Sequence, residues 1–264
     1  MLISSAAYLL VFHGSRDSRT QAAACDLRHL LAQKCQSINM LAHEKYLGAN
    51  LINSEPNPSP DCDQTPLIEV AALELTSIPL SQSLVNFAQR VVQQGVKNIK
   101  VIPLFLAPGV HVQQDIPAQI ALATNQIKCQ ATIQLSPYLG KYSEIVPLLR
   151  QKFAQLPAKK RILIAHGSKL PSVADYYQNL ADKLNADLGY WSTNPGFSQQ
   201  IVRQIRSGIK KIALMPYFLF PGRITSAIAS EIATLQQEYP QVELFLGQPL
   251  GATPALAELI AQGV

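Results

Sequence analysis

Three residues combine reactive chemistry with a telling position. His13 closes the apolar run AAYLLVF and is followed at once by Gly14 and Ser15. His111 comes shortly after Pro108-Gly109 in LFLAPGVHVQQDIP, and Glu74 sits just past the apolar part of IEVAALELTSIP. Two neighbouring imidazoles suit a borderline divalent metal such as Fe2+ or Co2+, which each binds in its neutral form. A carboxylate beside them adds a ligand or a proton acceptor. Taken singly, a strand-end histidine is usually a hydrogen-bonded structural residue and a lone glutamate is usually solvated. A functional reading therefore requires the three to converge, and that depends on the elements that carry them.

Short apolar runs alternate with helical patterns along the chain. Strands are expected over 7–12, 67–73, 99–106 and 131–135, then over 161–165, 187–191, 211–218 and 242–246. Between the first two, TQAAACDLRHLLAQKC places Ala23, Leu27, Leu30, Leu31 and Cys35 on one helical face. Strand and helix in alternation predict an α/β fold of parallel sheets flanked by helices. Such sheets bind ligands at the carboxyl ends of their strands, where His13, Glu74 and His111 all fall.

The chain also repeats itself. AAYLLVFHGSRDS recurs as KRILIAHGSKLPS, VKNIKVIPLFLAPGV as IKKIALMPYFLFPGR, and SPYLGKYSEIVPLLRQ more weakly as GQPLGATPALAELIAQ. Three matched segments in one order predict two tandem similar domains, 1–157 and 158–264, joined at QLPAKKR. The first carries a Pro-rich insertion near 48–66, expected as an irregular loop. The second keeps His166 in HGS but has Arg223 and Ile224 where the first has Val110 and His111. Counting back from the following proline puts Tyr190 near Glu74's position, so the full set belongs to the first copy alone. Gly14 allows a tight strand-to-helix turn, Ser15 or Ser18 is expected to cap the helix, and Asp115 with Pro117 reads as the opening of another helix. His29 and His43 are assigned to the surface.

Composition sets the remaining bounds. The 264 residues carry a net charge of +5, but the segment through Leu135 balances nine basic against nine acidic residues. The excess lies in the second half, where Arg223 is the best clamp for an anionic ligand. Without an RNP motif, a helix-turn-helix pair or a dense basic run, a small polyanion fits better than nucleic acid. Cys25, Cys35, Cys62 and Cys129 lack C-x-x-C spacing and read as reduced thiols of a cytoplasmic protein. MLISSAAYLLVF has no basic n-region and too short an apolar stretch for a signal peptide or membrane span. P-loop, G-x-G-x-x-G, H-E-x-x-H and G-x-S-x-G patterns are absent.

FHGSRDS, VAALELTSIP, VIPLFLAPGVHVQQDIP and the degenerate AHGS…PYFLFPGR together resemble the class II tetrapyrrole chelatases, specifically the sirohydrochlorin chelatases. The resemblance covers nearly the whole chain apart from the Pro-rich insertion. It implies two α/β domains facing across a cleft, and insertion of Fe2+ or Co2+ into sirohydrochlorin without an organic cofactor. His13 and His111 would handle the metal and accept protons, with Glu74 orienting or relaying. Ser15, Arg16, Arg223 and His166 would hold the macrocycle. Imidazole and carboxylate accept both metals, with iron the expected one. One chain supplies both halves of the cleft, so a monomer is expected, with a dimer as the alternative. The rival readings are a non-catalytic tetrapyrrole or metal carrier and a phosphoester hydrolase using His13.

Overall fold

The computed structural model describes residues 6–50, 66–128 and 130–263. All eight expected strands form, in two parallel four-stranded sheets. β1 (Ala6–Phe12), β2 (Ile68–Ala72), β3 (Asn98–Pro103) and β4 (Thr132–Leu135) stand in the order β2-β1-β3-β4. β5 (Lys160–Ala165), β6 (Asp187–Tyr190), β7 (Lys211–Pro216) and β8 (Glu243–Leu246) repeat it as β6-β5-β7-β8. In each sheet the chain leaves the central strand to one side and returns to the other. That reversal is where open parallel sheets form a ligand crevice.

Every residue of β1 is buried, as a strand covered on both faces requires. Ala7, Leu9 and Val11 pack against α2 (Leu80–Gln93) and α3 (Ile116–Ile127). Leu80, Leu84, Phe87, Ala88 and Val91 form the stripe that α2 turns inward. Tyr8, Leu10 and Phe12 face α1 (Ser18–Asn50), which presents Ala24, Leu27, Leu31 and Cys35. The expected face of this helix holds, with Leu30 only half-buried. Leu27 and Leu31 are fully buried, each contributing about 1.5–3 kcal/mol. Burial pushes the Cys35 thiol up to about 11, so it stays protonated. Cys62 and Cys129, and the His43 side chain, lie outside the described residues. So does the Pro-rich insertion, except where α1 runs through to Asn50 and where Pro66 is buried.

Two strands end two or three residues earlier than expected. β3 stops at Pro103 and β7 at Pro216, because proline cannot donate to a ladder. One further bond, from the Leu104 amide to the Val11 carbonyl (2.7 Å), precedes departure of the chain from the first sheet.

The two copies exchange their closing helices. α4 (Ile145–Ala154) follows β4 but packs on α5 (Pro171–Leu184) of the second copy, while α8 (Pro254–Gly263) follows β8 and packs on α1. Leu149, Phe153, Leu256 and Ile260 thereby enter one core with Leu10, Leu27, Tyr177 and Leu180. Arg150 donates to the Lys183 carbonyl (2.7 Å) and Lys152 to the Pro249 carbonyl (3.0 Å) across the same junction. α6 (Phe197–Arg206) and α7 (Arg223–Glu238) cover the other face of the second sheet. No helix among the described residues is long and apolar enough to cross a membrane.

Candidate active site

Pairing between β1 and β2 continues past both strand ends. The Leu73 amide donates to the Phe12 carbonyl (2.8 Å) and the Glu74 amide to the His13 carbonyl (2.9 Å). The ladder itself thus sets Glu74 beside His13. Gly14 makes this approach possible: it has φ +96°, and a Cβ there would stand 2.0 Å from the Glu74 carbonyl oxygen. After Glu74 the chain turns at Leu75, a non-glycine residue in the left-handed region (φ 55°).

The third side chain arrives from the loop after β3. Phe105 lies beside both imidazoles, its ring 6.3 Å from that of His13 and 6.0 Å from that of His111. The Gly109 carbonyl then accepts the Val112 and Gln113 amides (both 3.1 Å), starting a π-helical turn over His111–Asp115. That turn runs into α3, whose start carries Pro117 as expected.

His13 and His111 meet edge to face at 4.7 Å between ring centroids. Glu74 reaches both, with Oε2 3.9 Å from His13 Nε2 and Oε1 3.7 Å from His111 Nδ1. One ligand atom from each of the three lies within 4.8 Å of the others. These separations exceed a hydrogen bond. The three side chains nevertheless each offer a ligand atom close enough to the others to be shared by one ion. The side chains of His13, Glu74 and His111 are 52%, 47% and 32% exposed, which leaves them accessible to a large reactant. His13 Nδ1 is 3.2 Å from the Gly14 carbonyl, and His111 Nδ1 is 2.7 Å from Asp115 Oδ2. Sequence reasoning treated Asp115 only as a helix opening; its four-residue spacing from His111 was the available signal.

The second copy reproduces the scaffold without the triad. His166 Nδ1 lies 3.1 Å from the Gly167 carbonyl, Gly167 has φ +91°, and the ring stands 6.4 Å from Phe218. The residue opposite Glu74 is Ser192, whose amide donates to the His166 carbonyl (2.9 Å). Tyr190, the sequence-based choice, is instead a buried strand residue paired with Ala165. Counting from a proline misled because the two loops differ in length. Ile224 replaces His111, and no second three-ligand cluster forms among the described residues.

The expected cap of α1 also changes. Asp17, rather than Ser15 or Ser18, accepts the Arg19 amide (3.1 Å), while Ser15 Oγ accepts the Asp17 amide (3.0 Å) one step earlier. Aspartate carries a charge that the helix N-terminus favours. Arg19 binds Asp17 through Nε (3.0 Å) and Nη2 (2.7 Å) and reaches Ser226 Oγ with Nη1 (3.1 Å). Its hydrogen bond holds the Asp17 carboxyl below the usual range, with Arg223 adding to the effect. Ser15, Arg16 and Arg223 are exposed, and Arg223 lies near Asp17 across the junction between the copies, whereas His166 stays at the edge of its own sheet. His29 is exposed, as assigned.

Two tyrosines that sequence reasoning passed over also serve the site. Tyr176 donates to the Gly140 carbonyl (2.8 Å), and the single Tyr217 proton lies between the Tyr176 hydroxyl (2.7 Å) and the Leu106 carbonyl (3.1 Å). The second copy thus grips the loop that carries His111. Tyr217 aligns with apolar Leu104, which hid its polar task.

The CbiX family profile matches residues 61–156 and again 160–264. The chain belongs to the CbiX family. This CbiX chain is 24% identical over 212 residues to the sirohydrochlorin ferrochelatase of Priestia megaterium, covering 75% of its own length and 77% of the relative. It is 24% identical over 218 residues to the sirohydrochlorin cobaltochelatase of the same organism, covering 76% and 70%. Its fold matches that of SirB from Bacillus subtilis with Fe3+ at a TM-score of 0.71 and 22% identity, over 98% of this chain and 94% of that one. It also matches SirB from Bacillus subtilis subspecies spizizenii in complex with cobalt, at 0.68 and 21% over the same shares.

Proposed function

We propose that this CbiX-family chain is a sirohydrochlorin chelatase, a lyase that inserts Fe2+ or Co2+ into sirohydrochlorin on the routes to sirohaem and cobalamin. The observation that carries the reading is the convergence of His13, Glu74 and His111 at the carboxyl edge of the first sheet. The printed functions of the relatives supply the substrate. Insertion exchanges one divalent ion for two pyrrole N–H protons, so the site must present a partly dehydrated metal and accept protons beside it. His13 and His111 hold the ion, and Glu74, reaching both imidazoles, takes a proton or steadies a ring. Three half-exposed ligands release metal to a macrocycle more readily than a closed four-ligand site.

Ser15, Arg16 and Arg223 receive the substrate's carboxylates at the junction of the copies, with His166 on the opposite sheet edge. The copies divide near 157/158 and the macrocycle enters a cleft between them. The chain works as a cytoplasmic monomer without an organic cofactor, nucleic acid or membrane.

The test is anaerobic incubation of the purified protein with sirohydrochlorin and Fe2+ or Co2+, followed by macrocycle absorbance. Acceleration over the protein-free rate is expected with both metals. Binding without acceleration would make the protein a carrier. Hydrolysis of p-nitrophenyl phosphate with no insertion would favour the hydrolase, for which Arg16 and Arg19 are the nearby arginines and Arg19 is paired with Asp17.

A further inference from the structure

Asp115 lies within the continuous helix that runs from the π-helical turn into α3, with helical φ −68° and ψ −49°, and follows His111 by four residues. Its carboxylate turns back across the π-helical turn to His111 Nδ1, at 2.7 Å. Glu74 competes for the same nitrogen from 3.7 Å, beyond hydrogen-bond range, so Asp115 receives the N–H. His111 Nε2 is left with the lone pair. Among the described residues, the hydrogen-bond partner of His13 Nδ1 is the neutral Gly14 carbonyl, at 3.2 Å. A hydrogen bond to an ionised acceptor is roughly twice as strong as one between neutral groups, and it raises the ligand's basicity. The repeat adds an independent observation. Matching Gly109 to Gly222 places Ile224 at His111 and Ile228 at Asp115; Ile228 is buried in the apolar core of the second copy and Ile224 packs against it. The carboxylate is absent where the imidazole is absent.

We propose that Asp115 is a positioning residue for metal insertion. It fixes the ring and tautomer of His111 so that Nε2 binds the incoming ion, and it makes His111 the stronger of the two imidazole ligands. This rests on the chelatase reading above.

The test is Co2+ titration of the intact protein, followed by d–d absorption, together with insertion kinetics for wild type, Asp115→Asn, His111→Ala and the double variant. Asn keeps the size and an acceptor oxygen but removes the charge. Asp115→Asn is expected to weaken Co2+ binding and slow insertion about 10–100-fold. KM for sirohydrochlorin and the melting temperature should stay at wild-type values, and adding it to His111→Ala should cost nothing further. Wild-type Co2+ affinity and insertion rate in Asp115→Asn would overturn the proposal, as would an equal additional loss in the His111→Ala background. If wild type binds Co2+ but never inserts it, the chelatase reading fails while the titration still judges Asp115. If wild type inserts normally and Asp115→Asn matches it, Asp115 alone is refuted.

Discussion

Glu74 sends one carboxylate oxygen towards each of two imidazoles, and neither contact is short enough to be a hydrogen bond. Side chains so arranged add little to stability, since half-exposed groups without close partners seldom shift it by more than about 0.5 kcal/mol. His13→Ala should therefore melt close to wild type, and His111→Ala should lose in addition only the half-exposed pair with Asp115, worth about 0.2–1 kcal/mol. Their insertion rates should fall at least about 100-fold, the usual contribution of a positioned proton acceptor, with Glu74→Gln also impaired. Parallel thermal melts and anaerobic insertion assays check this. Unfolding in step with lost activity would return these residues to a structural role. The triad was legible because each member sits immediately beyond an apolar strand or a Pro-Gly turn. The partner of His111 was harder to see, since Asp115 ahead of Pro117 is also the ordinary start of a helix.

At the scale of elements, the site is an outcome of strand pairing. The β1–β2 ladder sets Glu74 beside His13, and Gly14 is the residue that lets their backbones approach. Gly14→Ala should cost about 1–3 kcal/mol, from a strained positive φ and a Cβ driven into the Glu74 carbonyl. Gly167→Ala meets the Thr193 side chain instead, which can rotate away. Denaturant melts should show the larger loss for Gly14→Ala, together with a loss of insertion that Gly167→Ala does not share. Equal effects would mean that the turn, rather than its contact with Glu74, is what matters. The His-Gly-Ser turns were readable from composition. The Ser192 register was not, because it follows from hydrogen bonding beyond the strand ends.

As a whole molecule, the chain is two copies with one shared core. Two domains were legible from the repeat, but nothing in the local pattern says that α4 and α8 pack on the opposite copy. Calorimetry of the full chain should show a single transition; two resolved transitions would contradict the shared core. The tyrosine pair at the junction makes stability depend on pH. Burial raises the Tyr176 and Tyr217 hydroxyls well above their ordinary value, whereas the unfolded chain releases these protons near pH 10. The folded state therefore binds more protons above pH 10, and stability falls as pH rises beyond it while staying level below. Burial also lifts Tyr8 and Tyr177 to about 12, which adds to the same decline. Urea melts between pH 8 and 11 should show the drop, and Tyr217→Phe should soften it. The same substitution should also slow insertion, because Tyr217 holds the loop that carries His111.

The most direct test of the central claim is anomalous diffraction at the cobalt edge from crystals of the full chain soaked in Co2+. The account predicts a peak bounded by His13, Glu74 and His111 and lost in His13→Ala. A principal peak elsewhere, at His166 for instance, with the triad unoccupied, would contradict it.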